Sequence, residues 1–272
     1  MPKPLVRVPR SMWRASGATE GERAIPEETA IAFTFNTATY AVMMATPQDL
    51  EDFAVGFSLT EGVISSIEAI DSIDIVEEEI GIELRIWLKA REAAEFLGRR
   101  RKMAGPTGCG LCGIESLTEA MRLPPKVGEG RIFAPEEIMA AVESLSAVQV
   151  INHETRAVHA AGFYEPARGL VTLREDVGRH NALDKLAGAL ARGETNVAAG
   201  LVVLTSRISI EMVQKAAMIG APVLAAVSAP TALAVRMAEA AGMTLIGIAR
   251  TDGFEIFTNP QRVKGSVASH VA

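Results

Sequence analysis

The stretch Gly200-Leu-Val-Val-Leu-Thr205 decides the fold, because it is apolar without interruption and a helical pattern follows it over residues 210–219. A second apolar run covers residues 222–227, a second helical pattern 231–241, and a third apolar run 244–249. Strands that are apolar on both faces and alternate with helices are typical of a parallel sheet covered by helices. We therefore predict an α/β domain with a mainly parallel sheet.

Upstream of this region, the apolar pattern predicts a smaller α+β domain over residues 25–104. Thr46 is predicted to be the N-cap of its first helix, with Pro47 at the first helical position. The other elements predicted there are strands at 29–36, 39–44, 70–76 and 82–88 and a helix at 89–103. The large domain is predicted to span 114–265, with further helices at 114–122, 135–146 and 180–192 and strands at 157–164 and 169–175. Residues 1–24 are expected to be a mobile or extended arm, 105–113 a mobile loop, and 266–272 a tail.

The composition limits the classes of function. The chain of 272 residues has 49% hydrophobic and 22% charged residues, a formal net charge of -6 and a pI of about 5.4. This balance is typical of a globular protein and argues against non-specific nucleic-acid binding. No apolar run is long enough to span a bilayer, and the basic start lacks the apolar centre of a secretory signal. We therefore expect a cytoplasmic protein without nucleic-acid or membrane partners, whose two cysteines stay reduced.

Three segments follow the apolar runs and are expected at one edge of the sheet, where open α/β sheets bind ligands. They are Thr205-Ser-Arg-Ile-Ser209, Ser228-Ala-Pro-Thr231 and Arg250-Thr-Asp-Gly253. The hydroxyls of Ser228 and Thr231 and the N–H groups of helix N-termini suit phosphate oxygens, and Arg207 and Arg250 would add bidentate charge. The alternative is that these hydroxyls only cap helices. Because no Gly-x-Gly-x-x-Gly or P-loop pattern occurs, an ordinary dinucleotide or P-loop site is not expected.

The segment Gly108-Cys109-Gly-Leu-Cys112-Gly113 is predicted to be the chemically active part of the chain. A thiolate is the nucleophile, and nearby cations or a helix N-terminus lower the pKa of a thiol. The basic run 99–102 precedes the cysteines, and a helix is predicted after them. The glycines let the loop change conformation, which suits a thiol that receives sulfur and passes it on as a persulfide.

Two other interpretations of the cysteine pair remain open. In a thioredoxin-like oxidoreductase the Cys-x-x-Cys pair opens a helix within a βαβ unit, whereas here the loop follows a helix. A structural zinc site needs two more ligands, and besides the two cysteines the chain offers only His153, His159, His180 and His270. The sulfur-transfer interpretation fits the sequence best.

The segment Arg174-Glu-Asp-Val-Gly-Arg-His-Asn181 is dense in charged side chains just before a predicted helix. One interpretation is a capped helix start exposed to solvent, with Asp176 as the cap. The other is a polar site that includes His180 and faces the cysteine loop. The density of charge favours the second interpretation.

These segments resemble the formate dehydrogenase accessory sulfurtransferases, the FdhD family. The stretches that carry the resemblance are Met43-Met-Ala-Thr-Pro47, Asp52-Phe-Ala-Val-Gly-Phe-Ser-Leu-Thr-Glu-Gly62, Thr107-Gly-Cys-Gly-Leu-Cys-Gly113, Glu175-Asp-Val-Gly-Arg-His-Asn-Ala-Leu-Asp-Lys185, Ser228-Ala-Pro-Thr231 and Thr244-Leu-Ile-Gly247. Together they cover almost all of residues 25–263. One departure is Thr205-Ser206-Arg207, where the family usually has Ser-Gly-Arg, and the loss of that glycine restricts the backbone of the loop.

The resemblance implies a function. Such proteins accept sulfur from a cysteine desulfurase as a persulfide and deliver it to the molybdenum (or tungsten) bis-guanine-dinucleotide cofactor, which makes formate dehydrogenase active. Cys109 would be the persulfide carrier and Cys112 a relay or resolving thiol. The family's cofactor-binding stretch corresponds to Ile248, Ala249, Arg250, Thr251, Asp252 and Gly253, and we expect His180, Arg207, Ser228 and Thr231 beside it.

The resemblance also implies a homodimer and a three-layer, cytidine-deaminase-like large domain. The chain lacks the His-x-Glu and Pro-Cys-x-x-Cys zinc set of the deaminases, so neither deamination nor a resident metal is expected. The alternative function is a chaperone that binds the molybdenum cofactor without covalent sulfur transfer.

Overall fold

The computed structural model describes residues 1–94 and 121–266. Cys109, Cys112, the basic run 99–102, most of the helices predicted at 89–103 and 114–122, and the end of the tail lie outside these residues. The helices described are α1 Leu50–Thr60, α2 Pro135–Val148, α3 Val150–Thr155, α4 Arg179–Arg192, α5 Ile210–Met218 and α6 Ala232–Ala241. The strands described are β1 Leu5–Arg14, β2 Gly17–Pro26, β3 Thr29–Phe35, β4 Ala38–Ala45, β5 Ile70–Glu78, β6 Gly81–Leu88, β7 His159–Glu165, β8 Gly169–Asp176, β9 Leu201–Leu204, β10 Val223–Ala226, β11 Thr244–Arg250 and β12 Gly253–Thr258.

The large sheet has six strands in the order β12-β11-β10-β9-β7-β8. Strands β9, β10 and β11 are parallel, as the three apolar runs predict. The prediction of a mainly parallel sheet is correct only for this centre, because β7 and β8 flank it as an antiparallel hairpin and β12 pairs antiparallel with β11. The sheet is therefore mixed.

Helices cover both faces of the large sheet. Val202 and Leu204 of β9 pack into a core with α4, α5 and α6. Leu201 and Val203, which alternate with them, pack against α2 on the other face. Burial on both faces explains why these strands read as uninterrupted apolar runs.

The small domain is a four-stranded sheet in the order β4-β3-β6-β5, with α1 packed on one face. The ring centroids of Phe33 and Phe57 stack 3.9 Å apart in its core. The predicted hairpin at Asn36-Thr37 is confirmed, and both residues have positive φ, 45° and 72°, as tight hairpin turns require.

The N-cap predicted for the first helix is wrong. Helix α1 begins at Leu50, and the residue before it, Asp49, has a left-handed backbone with φ 55°. Thr46 contacts the large domain instead: its N–H donates to Asp176 Oδ2 at 3.0 Å, and its Oγ1 accepts from the N–H of Val177 at 3.2 Å. A residue with the sequence signature of a cap is thus used to join the two domains.

Helices α1 and α4 cross in backbone contact. A Cβ atom at Gly56 of α1 would overlap the carbonyl oxygen of Asp184 and lie 2.6 Å from the nitrogen of Gly188 in α4. A Cβ atom at Gly188 would lie 2.9 Å from the Cα atom of Asp52. This crossing fixes the small domain against α4, the helix that begins at the end of the polar segment 174–181.

The N-terminal residues, expected to be a mobile or extended arm, form a regular antiparallel hairpin of β1 and β2. Two further elements were not predicted, the short helix α3 and the strand β12. None of the helices in the described part of the chain is long and apolar enough to cross a membrane.

Candidate functional site at the carboxyl edge of the large sheet

The three loops predicted to share an edge are in contact with one another. Ile208 and Pro230 form an isolated β-bridge, and the N–H of Thr231 donates to the carbonyl oxygen of Ile208 at 3.0 Å. The N–H of Ile248 donates to the carbonyl oxygen of Ser228 at 3.2 Å. We call this surface the carboxyl edge; it consists of residues 205–209, 228–231 and 248–253. The sequence therefore predicted correctly which loops come together.

The stretch 248–253 carries backbone strain. Ile248 has φ 52°, in the left-handed region, although a β-branched residue disfavours it. It lies where the pairing of β11 with β12 is irregular, between Gly247 and Arg250, and its side chain is 38% exposed. Strained, exposed residues of this kind cluster at ligand-binding sites. Arg250 is the last residue of β11, so only Thr251 and Asp252 form the turn before β12.

The hydroxyl groups of the carboxyl edge have different roles. Thr231 is a helix cap, because its Oγ1 accepts from the N–H of Ala234 at 3.2 Å. Ser209 precedes α5, but its hydroxyl donates to Glu211 Oε2 at 2.6 Å instead of capping the helix. Ser206 is buried and donates to the carbonyl oxygen of Arg207 at 3.1 Å. The capping alternative thus holds for Thr231 and fails for Ser209.

Cationic side chains gather around the carboxyl edge. Arg207 is exposed, and Arg250 donates to the carbonyl oxygens of Val227 and Ala249. The start of α4 lies at the same edge, because His180 Nε2 is 3.5 Å from Glu211 Oε2 in the first turn of α5. This position supports the interpretation of the polar segment at 174–181 as part of a site.

Arg179 is a further candidate for this site, and no sequence pattern distinguishes it from its neighbours. Its Nε atom is buried and has no hydrogen-bond partner among residues 1–94 and 121–266, and the buried His180 Nε2 has only the long contact of 3.5 Å to Glu211 Oε2. Buried donors are normally satisfied. The two atoms can therefore donate to an anion that reaches this edge.

Two imidazoles near Arg179 have lowered pKa values. Burial lowers the pKa of His180, and the charges of Arg179 and Lys215 add to this, against the opposing effect of Glu211. Burial and Arg179 likewise lower the pKa of His159, against the effect of Asp176. Both rings are therefore neutral near pH 7, and an anion bound nearby would favour their protonation.

Buried ion pairs lie beneath the carboxyl edge. Lys185 and Asp176 are fully buried, and Lys185 Nζ lies 2.7 Å from Asp176 Oδ2 and donates to the carbonyl oxygen of Thr46 at 2.7 Å. Burial lowers the pKa of Lys185, although Asp176 opposes this. Asp176 is thus not an exposed helix cap, and that interpretation of the segment is wrong. The residue before α4 is Gly178, whose N–H donates to Asp176 Oδ1 at 2.8 Å.

A second buried ion pair joins α5 to α4 and to the end of α1. Lys215 of α5 donates to Asp184 Oδ1 at 2.9 Å and to Glu61 Oε1 at 2.6 Å. Asp184 also accepts from the hydroxyl of Thr60 at 2.6 Å. The two pairs connect α1, α4 and α5 and so hold Arg179 and His180 at the sheet edge.

Glu175 has a structural role that the sequence did not predict. Its carboxylate accepts from the N–H groups of Ile151 and Asn152 at 2.8 and 2.9 Å and so satisfies the start of α3. Burial raises the pKa of Glu175, although these two hydrogen bonds oppose the shift. A helix of six residues is not stable alone, which explains why the sequence pattern did not reveal α3.

The cysteine loop lies outside the described residues, so its distance from the carboxyl edge stays a prediction. Within residues 1–94 and 121–266, no group of three or more His, Cys, Asp or Glu side chains is arranged to hold a metal ion.

Comparison with known proteins identifies relatives over most of the chain. The family model described as the FdhD/NarQ family matches residues 26–264. The chain is 52% identical to the sulfur carrier protein FdhD of Agrobacterium fabrum over 258 residues, which are 94% of this chain and 95% of the relative. It is 53% identical over 251 residues to the sulfur carrier protein FdhD of Brucella abortus, which covers 92% of this chain and 93% of the relative. A crystal structure of a proposed formate dehydrogenase accessory protein from Desulfotalea psychrophila superposes with a TM-score of 0.76 at 25% identity, covering 95% of this chain and 99% of that one.

Proposed function

The chain belongs to the FdhD/NarQ family, and we propose that it is a sulfurtransferase in the maturation of formate dehydrogenase. It accepts sulfur from a cysteine desulfurase as a persulfide on Cys109. It delivers that sulfur to the molybdenum or tungsten bis-guanine-dinucleotide cofactor, whose diphosphate groups bind at the carboxyl edge. The observation that carries the proposal is the convergence of Arg179, His180, Arg207 and Arg250 on the edge that the family resemblance assigns to the cofactor.

The first chemical step uses the Cys109 thiolate and the persulfide of the desulfurase, and the release step uses Cys112. The Cys109 thiolate attacks the terminal sulfur of the desulfurase persulfide, a sulfur–sulfur bond forms on Cys109, and the desulfurase thiolate leaves. The sulfur then has to leave Cys109 with two electrons. Attack of the Cys112 thiolate on the inner sulfur of the persulfide supplies them, since it forms a Cys109–Cys112 disulfide and releases hydrosulfide.

The carboxyl edge supports binding of a diphosphate. The N-termini of α4, α5 and α6 lie there, and helix N-termini attract anions through their free N–H groups and dipole. Guanidinium groups recognise phosphate oxygens in a bidentate manner. Strain at Ile248 is consistent with a backbone shaped for a ligand.

The proposal predicts a persulfide on Cys109. When the protein is incubated with a cysteine desulfurase and cysteine, mass spectrometry should find an adduct of about 32 Da, one sulfur atom, on the peptide with Cys109. Cys109→Ala should lose the adduct and the activation of formate dehydrogenase. Cys112→Ala should keep the adduct, because only release depends on this thiol. Full activation by a folded Cys109→Ala protein would refute sulfur transfer.

A second function, a cofactor chaperone without covalent sulfur, is favoured by one observation. The carboxyl edge is built from residues 205–209, 228–231 and 248–253, so it contains neither cysteine. A chaperone in which both cysteines are replaced by alanine would still bind a guanine nucleotide and still activate formate dehydrogenase. A sulfurtransferase with the same changes would bind the nucleotide and fail to activate.

Guanosine diphosphate should bind more tightly as the pH falls below about 6.5, the ordinary pKa of histidine. The free protein holds His180 neutral at pH 7, and the protonated ring would donate from Nε2 to a phosphate oxygen. Isothermal titration calorimetry from about pH 5.5 to 8, at intervals of about half a pH unit, measures this dependence.

His180→Gln is the control, because it leaves the protonation of the phosphate itself unchanged and should flatten the difference between acidic and neutral pH. Arg250→Ala should weaken binding at every pH. Identical pH profiles for the parent and His180→Gln would exclude His180 from the site.

A further inference from the structure

A cavity of about 520 Å³ lies where the small domain meets the large one, and the proposed function gives it no role. The small domain contributes Leu59 and residues 65–68, and the large domain contributes the ends of α4 and α5 and residues 194–197. The floor is apolar, because Leu190 is buried and Leu59 and Met218 are half-buried. Binding pockets have volumes of about 300–1,000 Å³, so this cavity can take a few side chains of a partner.

The cavity lies at the other end of α5 from the carboxyl edge. Glu211, in the first turn of α5, faces His180 at that edge, whereas Met218, the last residue of the helix, lines the cavity. Seven residues along a helix correspond to a rise of about 10 Å. A side chain that fills the cavity therefore does not occupy the carboxyl edge.

The first described stretch of the chain ends close to this cavity. Residues 67 and 68 line the cavity, and the carbonyl oxygen of the next residue, Ala69, accepts from the N–H of Lys89 at 2.9 Å. The stretch ends five residues after Lys89, at Ala94, and Ala93 still packs against the core of the small domain. The chain therefore starts towards the two cysteines from the small-domain side of the cavity.

The second described stretch, which starts at residue 121, begins close to the same cavity. The carbonyl oxygen of Arg122 accepts from Gln214 Nε2 of α5 at 2.8 Å. A Cβ atom at Gly62 would lie 3.5 Å from Met218 Cε and 3.6 Å from Arg122 Nη1, so the side chains of Arg122 and Met218 are neighbours. The two ends of the segment that carries the cysteines thus lie beside the cavity, one on each domain.

The length of that segment lets Cys109 reach both the cavity and the carboxyl edge. Cys109 is 12 residues before residue 121. A chain of this length spans at most about 40 Å, and the two places are about 10 Å apart along α5. A sulfur donor held at the cavity is therefore within reach of Cys109, and so is a ligand at the carboxyl edge.

The rim of the cavity is acidic. Glu68 and Glu194 are exposed there, and neither forms an ion pair with another residue of the described stretches. The basic residue of the lining, Arg192, is already neutralised, since it pairs with Glu51 and, at 2.6 Å, with Asp52. An apolar floor with an acidic rim is complementary to an apolar side chain that has a lysine or arginine beside it.

We propose that this cavity is the docking site of the cysteine desulfurase, which inserts an apolar side chain next to a basic one. Docking there presents the desulfurase persulfide between the two ends of the segment that carries Cys109. The Cys109 thiolate attacks the terminal sulfur, and the desulfurase thiolate leaves. The inference rests on the proposed function, because it requires a desulfurase as the sulfur donor.

Charge reversal at the rim tests the proposal. The double variant Glu68→Lys with Glu194→Lys should bind the desulfurase about tenfold more weakly in biolayer interferometry, because it would repel the basic side chain. Ala191→Arg, which fills the cavity from α4, should have the same effect. Persulfide formation on Cys109 should slow about tenfold at low desulfurase concentration and recover at high concentration. Loading from glutathione persulfide, which needs no docking, should equal that of the parent.

The matched control is the double variant Glu136→Lys with Glu143→Lys, at two exposed glutamates of α2 on the other face of the large sheet, and it should bind the desulfurase as the parent does. Unchanged affinity in both cavity variants would overturn the docking site. So would a photoreactive benzophenone amino acid at position 68 that cross-links to residues 95–120 or to a second copy instead of the desulfurase.

The two persulfide donors separate failure of the docking site from failure of the proposed function. If the desulfurase loads the cavity variants and the parent equally fast at low concentration, the docking site is wrong and sulfur transfer stands. If neither the desulfurase nor glutathione persulfide loads Cys109 of the parent, the proposed function is wrong and the docking site falls with it.

Discussion

Replacing Gly56 by alanine is expected to lower the free energy of unfolding by about 3 kcal/mol or more, at the upper end for overpacked sites. In an exposed helix the same change raises stability by about 1 kcal/mol, so the sign of the effect is diagnostic. The added Cβ would overlap the carbonyl oxygen of Asp184 and lie 2.6 Å from the nitrogen of Gly188. Both are backbone atoms of α4, so no change of rotamer relieves the overlap, and the two helices must separate. Urea titration followed by circular dichroism measures the loss.

Gly128→Ala is the control, because a Cβ atom there meets nothing within 4 Å. Gly188→Ala should resemble Gly56→Ala, and the double variant should lose less than the sum, since both changes push apart the same crossing. If Gly56→Ala stays within about 1 kcal/mol of the parent, as substitutions at open sites do, the backbone contact between α1 and α4 is wrong.

Local patterns predicted most of the elements, but not how they meet. The uninterrupted apolar runs at 200–205 and 222–227 identified β9 and β10, because strands buried on both faces have apolar residues at successive positions. The pattern around Gly56 predicts an apolar helix but does not indicate that this glycine makes a close backbone contact. Its role depends on α4, about 130 residues later, and no local pattern contains that information.

The N-terminal hairpin escaped prediction for a related reason. Pro9 and Gly21 are residue types that disfavour strands, and charged residues alternate with apolar ones only weakly. All residues of both strands are paired, but Ala24 is the one buried residue among them. The strands therefore lack the alternating buried face by which a sequence pattern indicates a strand.

The candidate site was predictable in outline. Parallel strands bring their carboxyl ends to one edge, so the order of the apolar runs was enough to place Arg207, Ser228 and Arg250 together. Arg179 could not be singled out, because its place there depends on the antiparallel pairing of β7 with β9, which turns the end of β8 towards the same edge. The roles of Cys109 and Cys112 and the likeness to cytidine deaminases remain predictions.

Lys185→Met is expected to cost about 3–5 kcal/mol, the loss typical of breaking a buried ion pair from one side. Methionine fits the volume of the lysine stem, so the loss reports charge more than packing. It leaves the carboxylate of Asp176 buried without its cation, although Gly178 and Asn181 still donate to it at 2.8 and 3.0 Å. It also removes the hydrogen bond to the carbonyl oxygen of Thr46 at 2.7 Å. Urea denaturation at pH 7 measures the cost.

The double variant Asp176→Asn with Lys185→Met separates the two explanations of that cost. If the uncompensated charge dominates, the neutral amide recovers more than half of the loss, and the single variant is least impaired at acidic pH, where a lone buried carboxyl group takes up a proton. If the packing around Phe53, whose ring centroid is 5.4 Å from Lys185 Nζ, dominates, the double variant is no more stable than the single one. The distinction matters for function, because Asp176 lies three residues before Arg179. A charge pair that holds this turn in place also fixes the direction in which Arg179 and His180 face the carboxyl edge, so nucleotide affinity should recover together with stability.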